Sequence, residues 1–266
     1  MNHAILFLTL YTFIRMNTEK NSWTTYLKSP VGQKLMTEEK DWFDRNLEDV
    51  FGYNAVQICP YNFDALNKNR ISAKYKFSFA TSEAEIQSDS DVFMVSPAEL
   101  PIATRSLDLL VLIHVLESVD DPHAVLREAE RVLISEGRLV ICSFNPFGVW
   151  AMNRYFGNVN LPPNSDNWVA LARLKDWCKL LELEIVGGQF LAFYPAVNSS
   201  KWKDKFSWVQ TVGKRWWPTS GAVYCLTSIK RTVGMNLVKT KPWNRGPKFR
   251  KKTIPSVSSS LENKVE

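Results

Sequence analysis

Apolar and polar positions change rhythm several times along the chain, and the clearest change falls between Leu107 and Pro146. Leu107 to Ile113 is an almost unbroken apolar run, the pattern of a strand covered on both faces. Beyond a short polar loop, Val125, Leu126, Ala129, Val132 and Leu133 recur at helical spacing. Arg127, Glu128, Glu130 and Arg131 take the other faces. Asp121 is placed to cap this helix and Pro122 to open it, where a missing N–H costs nothing. Asp120 adds negative charge near the positive end of the helix dipole. Gly137 then predicts a tight turn. Leu139 to Ile141 predicts a second buried strand, ended by Asn145-Pro146. Strand, helix and strand in this order form a βαβ unit, whose parallel strands need such a crossover.

The same reading extends outward. Residues 30–51 predict a helix with Pro30 near its start and Gly52 just past its end. Leu35, Trp42, Phe43, Leu47 and Val50 form its apolar stripe, with Glu38, Glu39, Lys40, Asp44 and Glu48 facing out. Trp23, Tyr26 and Leu27 pack against it or cover a ligand. Strands are expected at Asn54 to Cys59, Phe77 to Ala80 and Val92 to Val95. A short helix is expected after Pro146 and a longer one from Trp168 to Leu183. Two late strands, Glu184 to Phe193 and Gly221 to Ile229, flank a Lys- and Trp-rich insertion at 199–218. From about residue 235 the chain is Pro-, Lys- and Ser-rich without periodicity, which predicts disorder. At the other end, the apolar run from Ala4 to Ile14 is too short to span a bilayer as a helix. It also lacks the basic start and small-residue cleavage site of a secretion signal. Translation starting at Met16, a membrane-associated segment and an ordinary buried element are all open readings of it. The expected organisation is an extension at 1–22, one α/β domain at 23–234 and a basic tail at 235–266.

Charge changes the picture at one place. Residues 1–229 hold 23 Lys and Arg against 25 Asp and Glu, whereas residues 230–252 hold nine basic residues and no acid. The net charge of +6 therefore belongs to the C-terminal segment and not to a basic face of the domain. That segment interleaves Trp243 and Phe249 with its cations, so it either contacts RNA or anionic membrane or acts as a solvated tail. Four cysteines, Cys59, Cys142, Cys178 and Cys225, lack any CxxC spacing and read as small buried hydrophobes in a reducing cytoplasm. With only three histidines, none at ligand spacing from a cysteine, no metal site is expected.

Ligands of open α/β sheets sit beyond the carboxyl ends of the strands near the switch point. That rule groups Cys59-Pro60, Ser96 to Ala98, His114 to Glu117 and Ser143 to Pro146 around one crevice. His114 is the best candidate for an orienting group or base, against a structural histidine at a strand end. Glu117 and Asn145 are the other catalytic candidates. Tyr61, Trp150 and Trp23 either stack on an acceptor or fill core.

The strand ending at Ile113, then His114-Val115-Leu116-Glu117, Asp121-Pro122, Leu126-Arg127-Glu128, Arg131-Val132-Leu133 and Glu136-Gly137-Arg138-Leu139, resembles the type 11 branch of the class I S-adenosylmethionine-dependent methyltransferases. Ala98-Glu99-Leu100-Pro101 and Ser106-Leu107-Asp108 are similar to that branch's loop and fourth strand. Asn145-Pro146, Arg173 to Trp177 and Gly221 to Tyr224 resemble a small bacterial subgroup of it. The resemblance implies a Rossmann-like fold: a seven-stranded, mostly parallel sheet with helices on both faces and an antiparallel last strand. It implies S-adenosylmethionine as cofactor, held around Ile58, Cys59, Pro60, Ser96, Ala98 and His114, and a small-molecule acceptor more readily than a macromolecule. The family's glycine-rich turn after the first strand is missing, since no glycine occurs between Gly52 and Gly137. Its ribose-binding acid has only Glu83 and Glu85 as candidates, and its adenine-side acid is replaced by Ser96. The missing glycines keep a second reading open, a binding or scaffold module that has lost the cofactor.

Overall fold

A computed structural model describes residues 23–79, 92–153, 161–196 and 219–231. The N-terminal extension, Glu83 and Glu85, the 199–218 insertion and the tail beyond 235 lie outside the described residues. Seven strands form one sheet: β1 (Asn54–Ile58), β2 (Ala73–Ser78), β3 (Val92–Met94), β4 (Leu107–Ile113), β5 (Leu133–Phe144), β6 (Leu183–Leu191) and β7 (Val223–Lys230). Their order is β3-β2-β1-β4-β5-β7-β6. The first five strands pair in parallel, and β7 runs antiparallel to both β5 and β6. Chain order reverses between β1 and β4, so their carboxyl ends frame the crevice.

The unbroken apolar run of β4 is explained by cover on both sides. Leu109, Val111 and Ile113 join one core with Leu35, Phe43 and Leu47, while Leu110 and Leu112 join the other with Val125, Leu126, Ala129 and Leu174. Among the described residues, five helices supply this cover: α1 (Trp23–Leu27), α2 (Pro30–Leu47), α3 (Pro122–Val132), α4 (Val149–Asn153) and α5 (Leu171–Leu180). The predicted cap of α3 is formed, since Asp121 accepts a hydrogen bond from the Ala124 N–H at 3.1 Å. Ser29 caps α2 through the Gly32 N–H at 3.1 Å, with Pro30 in the first turn. Gly32 also lets α1 fold back onto α2. A Cβ there would lie 2.4 Å from the Tyr26 carbonyl oxygen and 2.8 Å from Leu27 Cα. Gly32→Ala is therefore expected to destabilise by about 1–3 kcal/mol through overpacking, measured as a lower midpoint in urea.

Several expectations move. Strand β2 begins at Ala73, four residues before the expected Phe77. The tight turn at Gly137 is instead a bulge. Pairing with β4 jumps from Leu107↔Leu133 to Leu109↔Arg138, and Glu136 takes the left-handed conformation at φ 64°. Gly137 is needed for close approach, because a Cβ there would meet the Ile134 oxygen at 2.9 Å and the Leu107 oxygen at 3.1 Å. Helix α5 starts at Leu171, leaving Trp168 in the loop before it. In the basic segment, Lys230 is buried and bonds the Glu130 and Leu133 carbonyls at 2.6 and 3.0 Å. Arg231 pairs with Glu184 and Glu136, so both cations are held by the domain itself.

The connection from β1 to β2 contains no helix. Side-chain amides order it instead. Gln57 donates to the Phe63 carbonyl and accepts from the Ala65 N–H at 2.9 Å. Asn69 donates to the Leu47 and Val50 carbonyls at 2.6 and 3.1 Å and accepts from the Ile71 N–H at 2.8 Å. Lys74 donates to the Leu66 and Asn69 carbonyls at 2.9 and 2.6 Å. The loop's buried backbone groups are thus satisfied without helical bonds.

Candidate active site at the ends of β1, β4 and β5

His114 is the first residue past β4 and sits at φ 52°. That conformation is uncommon for a residue with a Cβ and costs of order 1–3 kcal/mol unless its surroundings enforce it. Here they do. The His114 N–H donates to the Cys142 carbonyl at 2.9 Å, continuing the ladder to β5. Its own carbonyl accepts from Ser118 Oγ at 2.8 Å. The backbone then makes one 3-10 turn, Leu116–Ser118, which swings Glu117 back beneath the imidazole.

The imidazole lies between two acids. Nδ1 is 2.6 Å from Glu117 Oε1, and Nε2 is 2.9 Å from Glu39 Oε1. Ser143 Oγ donates to the second oxygen of Glu117 at 2.6 Å. Tyr61 Oη donates to the second oxygen of Glu39 at 3.4 Å, and the Cys142 thiol approaches Glu39 Oε1 at 3.8 Å. Glu39, His114, Glu117 and Ser143 are fully buried. Burial disfavours the charged imidazole, yet the field of Glu39 and Glu117 and their hydrogen bonds outweigh it and raise the His114 pKa to about 9. Burial pushes the Cys59, Cys142 and Tyr61 groups well up, so these stay neutral.

Aromatic rings close over this cluster. The Phe144 ring stacks on His114 at 4.2 Å between centroids, and Trp23 lies 5.3 Å from the imidazole. Trp23 also meets Tyr61 at 4.9 Å, and Trp168 stacks on the far side of Phe144 at 5.2 Å. A cation between such faces is stabilised by their negative quadrupole surfaces. Trp23 comes from α1, so that short helix is the cover of the crevice.

Of the predicted cofactor residues, Ile58, Cys59, Pro60 and His114 are all buried here. The Cys59 N–H is taken by the Phe77 carbonyl at 3.1 Å. Ser96 is exposed and bridges to Glu99, and Ala98 packs against the core. Glu117 joins His114 directly. Asn145 does not. Its amide clamps the Thr219 and Gly221 carbonyls at 3.0 and 2.9 Å and accepts from the Phe147 N–H at 3.0 Å. All its polar capacity toward the chain goes into holding the β5 end against the start of β7.

Glu39 was expected to face solvent, and the structure buries it at the centre of the cluster. The signal was present. Leu35, Glu39 and Phe43 follow at four-residue spacing, which puts Glu39 on the apolar stripe of α2. Residue spacing likewise offered no metal ligand set, but the fold brings ligand atoms of Glu39, His114 and Cys142 within 4.8 Å of one another.

A sheet of order 3-2-1-4-5-7-6 with an antiparallel seventh strand, and a crevice at the switch point, defines the class I methyltransferase fold. A family model described as "Methyltransferase domain" matches residues 59–141, from the turn after β1 to the middle of β5. An uncharacterized protein of Escherichia coli K12, YafS, is 26% identical over 213 residues, covering 79% of this chain and 80% of that one. A solved SAM-dependent methyltransferase of Thermotoga maritima, titled a possible histamine N-methyltransferase, superposes with a TM-score of 0.54 at 18% identity. It covers 76% of this chain and 91% of that chain. A SAM-dependent methyltransferase of Archaeoglobus fulgidus gives 0.52 at 13% identity over 72% and 92%. The fold is that of the class I methyltransferases, which use S-adenosylmethionine as cofactor, and residues 59–141 are similar to their methyltransferase domain.

The crevice suits one half of that cofactor. Faces of Trp23, Tyr61 and Phe144 together with the acids Glu39 and Glu117 are the donor set expected around a sulfonium. The anionic half finds no glycine turn and no helix N-terminus after β1.

Proposed function

We propose that the chain binds S-adenosylmethionine at the ends of β1, β4 and β5 and methylates a small-molecule acceptor in the cytoplasm. The observation that carries this is the acid-and-aromatic cage around His114. When bound, the cofactor supplies a methyl group on a sulfonium, an electrophile that needs alignment more than acid–base help. Phe144, Tyr61 and Trp23 offer their faces to the cationic centre. Glu117 and Glu39 attract it, and His114 keeps both acids fixed in place. Helix α1 excludes water from above. No helix among the described residues is long and apolar enough to cross a membrane, and all four thiols are free, which supports a reducing setting. The relative in Escherichia coli supports a bacterial one. If the basic segment contacts RNA or an anionic membrane, residues beyond Arg231 do so, since Lys230 and Arg231 are already paired.

Calorimetry or thermal shift with S-adenosylmethionine and its demethylated product tests the reading. At 100 times its dissociation constant the ligand is expected to stabilise the fold by about 2.7 kcal/mol. No heat and no shift at millimolar ligand would sink it.

A further inference from the structure

Three of the four cysteines converge on Glu39. Cys59, Cys142 and Cys225 are all buried, and the charge of Glu39 acts on each thiol. They come from the end of β1, from β5 and from β7, and Glu39 comes from α2. With His114 at the end of β4, five elements deliver N, O and S donors to one place. Cys142 and Cys225 face each other across the β5–β7 pair with sulfurs 3.0 Å apart. That is tight for two thiols that share nothing.

We infer that Glu39, His114 and Cys142 form a binding site for a borderline-soft divalent cation of the zinc type. The separations are already close to a coordination shell: 2.9 Å from His114 Nε2 to Glu39 Oε1, and 3.8 Å from that oxygen to Cys142 Sγ. Bonds of about 2.0–2.3 Å in a tetrahedron put ligand atoms roughly 3.3–3.8 Å apart, so small shifts admit an ion. The outer groups are also in place. Glu117 holds Nδ1 at 2.6 Å, which points Nε2 at the ion, and Ser143 holds Glu117 at 2.6 Å. Carboxylate–histidine–metal relays of this kind fix the ring and raise its basicity. Loading replaces the proton on Nε2 and removes the thiol proton of Cys142, and both leave to solvent. The local charge is then unchanged, because two protons depart as one dication enters. Mixed N, O and S donors disfavour magnesium and calcium, which take oxygen shells.

The site shares Glu39, His114 and Glu117 with the proposed cofactor cage, but its test needs no cofactor. Full-length protein purified without a histidine tag or chelator is assayed for metals by mass spectrometry. Metal-free protein is then titrated with Co2+. One equivalent of zinc as purified, or one equivalent of cobalt with a thiolate charge-transfer band, is expected. Cys142→Ser should abolish the band, and Glu117→Gln should weaken cobalt binding about 10- to 100-fold, a readout that a merely structural acid would leave alone. Far-ultraviolet dichroism checks that both variants are folded. Metal-free protein that takes up no stoichiometric Zn2+ or Co2+ overturns the inference. So does cobalt uptake with the same spectrum and affinity in Cys142→Ser and Glu39→Gln.

Discussion

His114→Ala is expected to destabilise the fold by about 3–5 kcal/mol at neutral pH, the range seen when one member of a buried ionic group is removed. The reason is the two acids left behind. Glu39 and Glu117 bond the imidazole at 2.9 and 2.6 Å and are fully buried. Without it, two carboxyl groups face a void in a medium that cannot hydrate them. The stack with Phe144 at 4.2 Å is lost as well. One term opposes this. Alanine no longer has an imidazole to anchor, so the strained left-handed backbone at residue 114 can relax. Urea denaturation of the variant and the parent measures the net effect. The double variant His114→Leu with Glu39→Leu should recover part of the loss, because it removes a charge along with its partner. A loss below about 1 kcal/mol for His114→Ala would mean that the acids are solvated and the crevice is wet.

Stability of the metal-free chain is expected to fall as pH rises from about 6.5 to about 9. His114 has a folded pKa of about 9 against an ordinary value of 6.5. The folded state therefore holds this proton more tightly than the unfolded one. The stabilisation is fully present below about pH 6.5 and is lost as pH rises through the folded value. A shift of this size corresponds to about 3 kcal/mol. The groups facing the imidazole are Glu39 from α2, Glu117 from the 3-10 turn, Cys59 and Tyr61 after β1, and Cys142 from β5. Burial keeps the two thiols and the phenol neutral across this window, so they do not mask the slope. Denaturation curves of chelator-treated protein at about pH 6 and about pH 9 check it. A flat profile would show that the imidazole is not the charged member of the cluster.

The β4–α3–β5 unit was legible because its signals are local. Asp121, Pro122 and the apolar stripe of α3 lie within a dozen residues of one another and each acts on its own neighbourhood. Strand β2 starts before its apolar pattern does because Lys74 and Lys76 look like solvent-facing charges. Each has a specific partner, the Leu66 and Asn69 carbonyls for Lys74 and Asp64 for Lys76. At the site, His114 and Glu117 could be singled out because they follow a buried strand. Glu39 could not be linked to them, since it meets His114 across 75 positions and Cys142 across 103. The bonding of the Asn145 amide is hidden for a similar reason. The carbonyls it donates to lie more than seventy positions away.

The connection after β1 has a consequence for how the crevice opens. A helix in that place could fray turn by turn. Here Gln57 fixes Phe63 and Ala65, and Asn69 ties Ile71 to the end of α2. Releasing either amide strips bonds from buried backbone groups at two places at once, so partial opening gains nothing. The loop and the end of β1 therefore form one cooperative opening unit, as foldons do. That wall of the crevice is held or released as a whole, and with it goes the contact that its Tyr61 ring makes with Trp23 of α1.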